Sequence, residues 1–137
     1  MKTNTALTPE LFRVCDANLN RLKEGIRVVE DILRYKDNNK ELAKKLKSLR
    51  HLSVLDNTKE LLQYRDSIND VLRPSTSSEQ KRTDLEAIII ANLKRAQESS
   101  RVLEELLKLD NIEKSEKFKT IRYELYNLEK EILLTQE

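Results

Sequence analysis

The sequence predicts an all-α fold, an antiparallel bundle built from two duplicated helical hairpins. Three observations carry that expectation. The 137 residues include one Gly and two Pro, which leaves little for hairpin turns, β-bulges or Gly-rich loops. Leu, Lys, Glu and Arg dominate, and all favour helix. A segment near the start also returns near the middle. NLNRLKEGIRVVED (18–31) reappears as NLKRAQESSRVLEE (92–105).

The elements follow in order. Thr8-Pro9 supplies a capping hydroxyl and a proline at the first helical position. A helical pattern then runs to about Lys36 and stops at Asp37-Asn38-Asn39. A second helix is expected from about Lys40 to Leu55, with Leu42, Leu46 and Leu49 on one face. The irregular stretch 56–76 holds a short helix around Leu61–Tyr64 and ends at Arg73-Pro74. Thr76 and Glu79 have capping-box spacing and open a long helix to about Leu109. Asp110 and Glu113 repeat that spacing and start the last helix.

At an offset of 74, Ala17–Leu33 and Ala91–Leu107 are identical at 9 of 17 positions. The partner helices echo each other as LKSLR (46–50) and FKTIR (118–122). The reading is a single domain over 1–137, with repeat one at 8–55, a connector at 56–76 and repeat two at 77–137. Four main helices and a short connecting helix then pack about a pseudo-two-fold axis.

Composition excludes several function classes. Lys and Arg number 26 against 24 Asp and Glu, a net charge of +2. That near-balance, with no basic block, argues against a nucleic-acid binder. No apolar run reaches membrane-spanning length and no signal-peptide core follows the N-terminus. One cysteine fits a reducing cytoplasm. There is no nucleotide-binding glycine loop, no metal-spaced His/Cys cluster and no nucleophile–His–acid set. The lone His51 and Cys15 read as structural residues.

On a helical wheel with Asn18 at 0°, the apolar half also takes in Asn18 and Arg21, at about 0° and 300°. Asn92 and Arg95 do the same in the second copy. Glu24 and Glu98 sit at the edge, and Arg27 and Arg101 opposite. Two inward arginines facing across a dyad require an anion between them. Glu24 and Glu98 in cis, or a bound phosphate, both qualify. Gly25, costly inside a helix, implies close approach of a helix or ligand. In the connector, Arg65, Asp66 and Asp70 read either as turn chemistry or as a Mg²⁺ and phosphate clamp.

The stretch DANLNRLKEGIRVVEDILRY, the later ANLKR…E..RVLEE segment, R-D-x-x-x-D-V at 65–71 and R-Y-x-L-Y-x-L-E at 122–129 resemble, in this order, the small helical hydroxymethylpyrimidine phosphate kinases of bacterial thiamine biosynthesis. That family is often fused to thiamine phosphate synthase, so the chain is expected to be a stand-alone member or an excised domain. The resemblance implies ATP-dependent phosphorylation of 4-amino-5-hydroxymethyl-2-methylpyrimidine phosphate to its diphosphate. Arg21, Arg95 and Asp66 are then the catalytic candidates. Asn18, Glu24, Arg27, Arg65, Asn92, Glu98 and Arg101 would bind substrate and ATP, with Arg50, Arg82 and Arg122 behind them. Asp66 and Asp70 would hold Mg²⁺. A homodimer is expected, with no nucleic-acid or membrane partner. The alternatives are a chorismate-mutase-like helical enzyme binding a dianion, and a non-catalytic helical interaction module.

Overall fold

A computed structural model describes residues 5–135; the outermost residues of the domain expected over 1–137 lie outside them. The regular elements among the described residues are all helices, with no strand. Helix α1 (Pro9–Asp31) begins as expected, with Thr8 Oγ1 accepting from the Leu11 amide at 3.3 Å. It passes into a π-helical turn over Ile32–Lys36. Asn38 adopts φ of 50°, a left-handed conformation that asparagine tolerates. Asn39 then caps α2 (Lys40–Leu52) through the Leu42 amide.

Helix α2 stops before Leu55 because Ser53 intervenes. Its hydroxyl and amide both bind the Leu49 carbonyl, which turns the chain and lets Leu55 enter the core. The connector carries α3 (Thr58–Gln63), whose Leu61 is buried, and the Tyr64 ring stacks on Phe12 at 5.9 Å.

Two expected helix starts are corrected. Thr76 does cap a helix, but only the four residues of α4 (Ser77–Gln80). The chain then extends, and Asp84 caps α5 (Leu85–Leu106) by accepting from the Ala87 amide at 2.8 Å. Likewise α6 (Ile112–Thr135), which follows a 3₁₀ turn at Leu107–Leu109, is opened by Asn111, not Asp110. Asn111 Oδ1 accepts from the Glu113 and Lys114 amides, while Asp110 pairs with the Lys114 side chain at 2.8 Å.

Helices α1 and α5 form a central pair, with α2 against α1 and α6 against α5. The Ala6 amide reaches the Leu109 carbonyl, so α1 and α5 run antiparallel. Helices α2 and α6 meet on one side of that pair and close a single core around Leu22, Ile26, Leu46, Leu93, Phe118 and Leu125. Cys15 lies in this core with no exposure, and burial, with Asp110 second, pushes its thiol up to about 11. His51 is exposed. Among the described residues no helix is long and apolar enough to cross a membrane.

Gly25 is explained by the helix crossing. A Cβ there would sit 2.8 Å from the Asn92 carbonyl oxygen and 3.4 Å from Ala96 Cβ. The obstacle is backbone, so α5 itself would have to move. Gly25→Ala is expected to destabilise by about 1–2 kcal/mol, overpacking outweighing alanine's better helix propensity. Thermal denaturation checks the sign, and a stabilised variant would refute the close crossing.

Candidate functional site

The inward arginine clamp is corrected by the structure. Asn18 is buried, but Arg21 and Arg95 are both exposed, as are Glu24 and Glu98. The wheel position of Arg21 lies at the margin of the apolar arc, and its long side chain turns outward from there. Asn18 and Asn92 instead spend their amides on their own helices, donating to the Val14 and Ile88 carbonyls four residues back.

The buried charges are carboxylates, each met by an arginine from another element. Glu30 on α1 has no exposure and receives Arg50 Nε at 2.7 Å and Nη2 at 3.2 Å. Glu104 on α5 is 5% exposed and receives Arg122 Nε at 3.1 Å and Nη2 at 2.9 Å. Arg101 adds a third contact at 3.3 Å. The two pairs occupy matching places in the two sequence copies. Asp16, also buried, holds Arg65 at 2.7 and 2.8 Å and so ties the connector to α1. These partners push the Arg50 and Arg65 guanidinium groups above their ordinary values, through the hydrogen bonds they donate to Glu30 and Asp16 first.

Asp66 and Asp70 shape the connector's turns. Asp66 accepts from the Asn69 amide and side chain, which hold its carboxyl below the usual range, and its carbonyl accepts from Arg13. Asp70 accepts from the Leu72 amide. Among the described residues no three His, Cys, Asp or Glu side chains group to hold a metal ion. Both carboxylates thus accept from nearby groups of the connector and hold its turns. Arg82 donates to the carbonyls of Glu79 and Lys81, and Arg27 pairs with Asp31 on the surface.

Three predicted residues do come together, between α5 and α6. A pocket of about 370 Å³ is lined by Lys94, Gln97, Glu98, Arg101 and Tyr126. Arg122 stands beside it, donating to the Tyr126 hydroxyl at 3.3 Å, and that bond together with Glu104 raises its guanidinium further. Positions 94, 97, 98 and 101 lie on one helical face, so α5 alone sets the spacing of the two cations. Lys94 Nζ reaches Gln97 Oε1 at 3.2 Å and Glu129 at 3.1 Å.

Gln97 is the unusual member. It is 3% exposed, yet its Nε2 has no hydrogen-bond partner. A buried unpaired N–H is costly, and this one belongs to a side chain that lines the pocket with Lys94, Glu98 and Arg101. A larger groove of about 500 Å³ lies between α2 and α6, floored by Leu49, Leu52 and Leu128. It contains none of the predicted residues and no orphaned donor, so the smaller pocket is the candidate. Lys94, Gln97 and Tyr126 were missed in the sequence. Their signal was the departure of the second copy from the first, which has Asn20 and Lys23 at the places of Lys94 and Gln97.

The fold and this pocket define a helical-bundle protein with an open pocket on α5 and α6 where Lys94, Gln97, Glu98 and Arg101 come together. Residues 13–131 match the model of the ThiD2 family, and the chain belongs to that family. It is 41% identical over 124 residues to a thiamine-phosphate synthase of Synechocystis, covering 90% of this chain and 36% of that protein. It is 38% identical over 128 residues to one from Thermosynechococcus vestitus, with 90% and 36% covered. A third, from Rhodopirellula baltica, is 37% identical over 129 residues, with 90% and 34% covered. The chain thus spans about a third of the length of these relatives. No solved structure matches it.

The thiamine-biosynthetic resemblance therefore holds at the level of family. The expected activity, an ATP-dependent hydroxymethylpyrimidine phosphate kinase, is corrected. The relatives carry the name of a different step, thiamine-phosphate synthase, and their names lend no support to ATP.

Proposed function

We propose that this chain acts in the formation of thiamine phosphate, as a helical module that binds a phosphorylated compound of that reaction in the α5/α6 pocket. The observation that carries this reading is the orphaned Nε2 of Gln97, a residue that lines the pocket together with Lys94 and Arg101. A phosphate oxygen would complete the amide's hydrogen bonding. Arg101, otherwise held by the exposed Glu105 at 3.1 Å and by Glu104, would turn one N–H pair towards the phosphate. The Tyr126 ring offers a flat apolar face for a heterocycle. The lone buried thiol of Cys15 supports a reducing cytoplasm as the place of action.

Titration calorimetry with thiamine phosphate, thiamine and inorganic phosphate tests the reading. Thiamine phosphate is expected to bind more tightly than either of the others. Arg101→Met should weaken it by roughly 10- to 100-fold, the loss of one charge-assisted hydrogen-bonding group. A chain that binds none of the three, and leaves the rate of a thiamine-phosphate synthase unchanged when added to it, would sink the proposal.

A further inference from the structure

Helices α2 and α6 cover only one side of the α1/α5 pair. On the wheel, the α1 residues facing α5 centre near 0°, and the core residues near 70°. A third stripe, near 285°, points away from the core. On α1 it consists of Val14, Ala17, Arg21, Glu24 and Val28, all exposed. On α5 the same stripe recurs 74 residues later as Ile88, Ala91, Arg95, Glu98 and Val102. Arg95 and Glu98 are exposed and the other three half-buried. Both stripes therefore lie on one open face, each with an arginine and a glutamate at its centre and aliphatic residues at its ends.

None of these four central charges takes part in an ion pair among the described residues, although their neighbours Arg27, Lys94 and Arg101 all do. Arg and Glu at a spacing of three could pair within the helix, yet both arginines stand free. The face is self-complementary. When a second copy is laid on it with helices antiparallel, each arginine meets a glutamate and each aliphatic end meets another. Two-fold contacts of this kind use one patch twice, which requires both signs of charge to be present on it.

We propose that this open α1/α5 face is the docking surface for a second copy of the chain. The dimer is then four layers of paired helices, with the two α1/α5 layers at its centre. The face shares Glu98 with the lining of the α5/α6 pocket, but it predicts association with no ligand present.

Light scattering coupled to size-exclusion chromatography tests it on the whole chain. The wild type is expected at about 32 kDa, twice the 16.1 kDa of one chain. One variant, Arg21→Glu with Arg95→Glu, makes the face wholly acidic; another, Glu24→Arg with Glu98→Arg, makes it wholly basic. Each alone should run at the mass of one chain while keeping wild-type helicity by circular dichroism. Their equimolar mixture should return to the doubled mass, and raising the salt should halve it again. A wild-type monomer, variants that remain dimeric, or a mixture that fails to associate would each overturn the proposal. So would a monomer that binds a thiamine-phosphate synthase through this face, which would assign the surface to that partner.

Discussion

Replacing Arg50 with Met is expected to destabilise the bundle by about 3–5 kcal/mol, the cost of leaving a buried carboxylate without its counter-charge. Glu30 is fully buried, and both of its hydrogen bonds come from Arg50. Nothing else replaces them, so the mutant must either bury a bare charge or protonate Glu30. The matching change on the other side, Arg122→Met, should cost less, because Arg101 remains on Glu104 at 3.3 Å. Arg21→Met, on an exposed and unpaired arginine, should fall within about 0.5 kcal/mol of wild type. Urea denaturation of the three variants checks the order. Removing both members of the pair, as Glu30→Leu with Arg50→Leu, should recover most of the loss, since the penalty belongs to the stranded charge. Equal effects for Arg50 and Arg21 would refute the assignment of the buried charges.

The second large effect has opposite signs for stability and binding. Gln97→Leu removes a buried N–H with no partner, which relieves a penalty of about 1–3 kcal/mol. It also removes the acceptor for Lys94 Nζ at 3.2 Å, a partly exposed bond whose loss offsets a fraction of that gain. The net expectation is a stabilisation of about 1 kcal/mol, visible as a rise in Tm of roughly 3–5 °C. Binding of thiamine phosphate should fall at the same time by about 10-fold or more. A side chain kept at a cost to the fold and needed for a ligand produces that pairing of results; a merely structural glutamine does not. If Gln97→Leu lowers Tm and leaves binding unchanged, the pocket loses its main support.

Much of the fold was legible because local rules decide it. Thr8-Pro9 starts α1, the Leu42–Leu46–Leu49 face is buried, and the Asp37-Asn38-Asn39 stretch separates the first helical run from α2. The boundaries that failed did so where two capping residues competed. Thr76 and Asp84 both carry capping chemistry, and only the extended Lys81–Thr83 segment between them separates a four-residue helix from a long one. Asp110 lost to Asn111 because its carboxylate is drawn to Lys114.

The candidate site was less legible, for a physical reason. A wheel gives the direction of a Cα–Cβ bond, not the course of a seven-atom side chain. Arg21 and Arg95 leave the apolar arc for water, whereas Glu104, not singled out in the sequence, is sealed inside by Arg122 and Arg101.

Sequence by itself determined the helical class, the single buried core and the repeated Asn-Leu-x-Arg segment, because periodicity and capping act within a few residues of chain. Only the tertiary structure decided what the repeat is for at each position. The antiparallel crossing at Gly25 brings backbone to backbone, encloses the Glu30 and Glu104 carboxylates against arginines from other helices, and turns Arg21 and Arg95 to an open face. Whether a charge is buried or free depends on which helix lies beside it, and that is settled by packing between segments far apart in the chain.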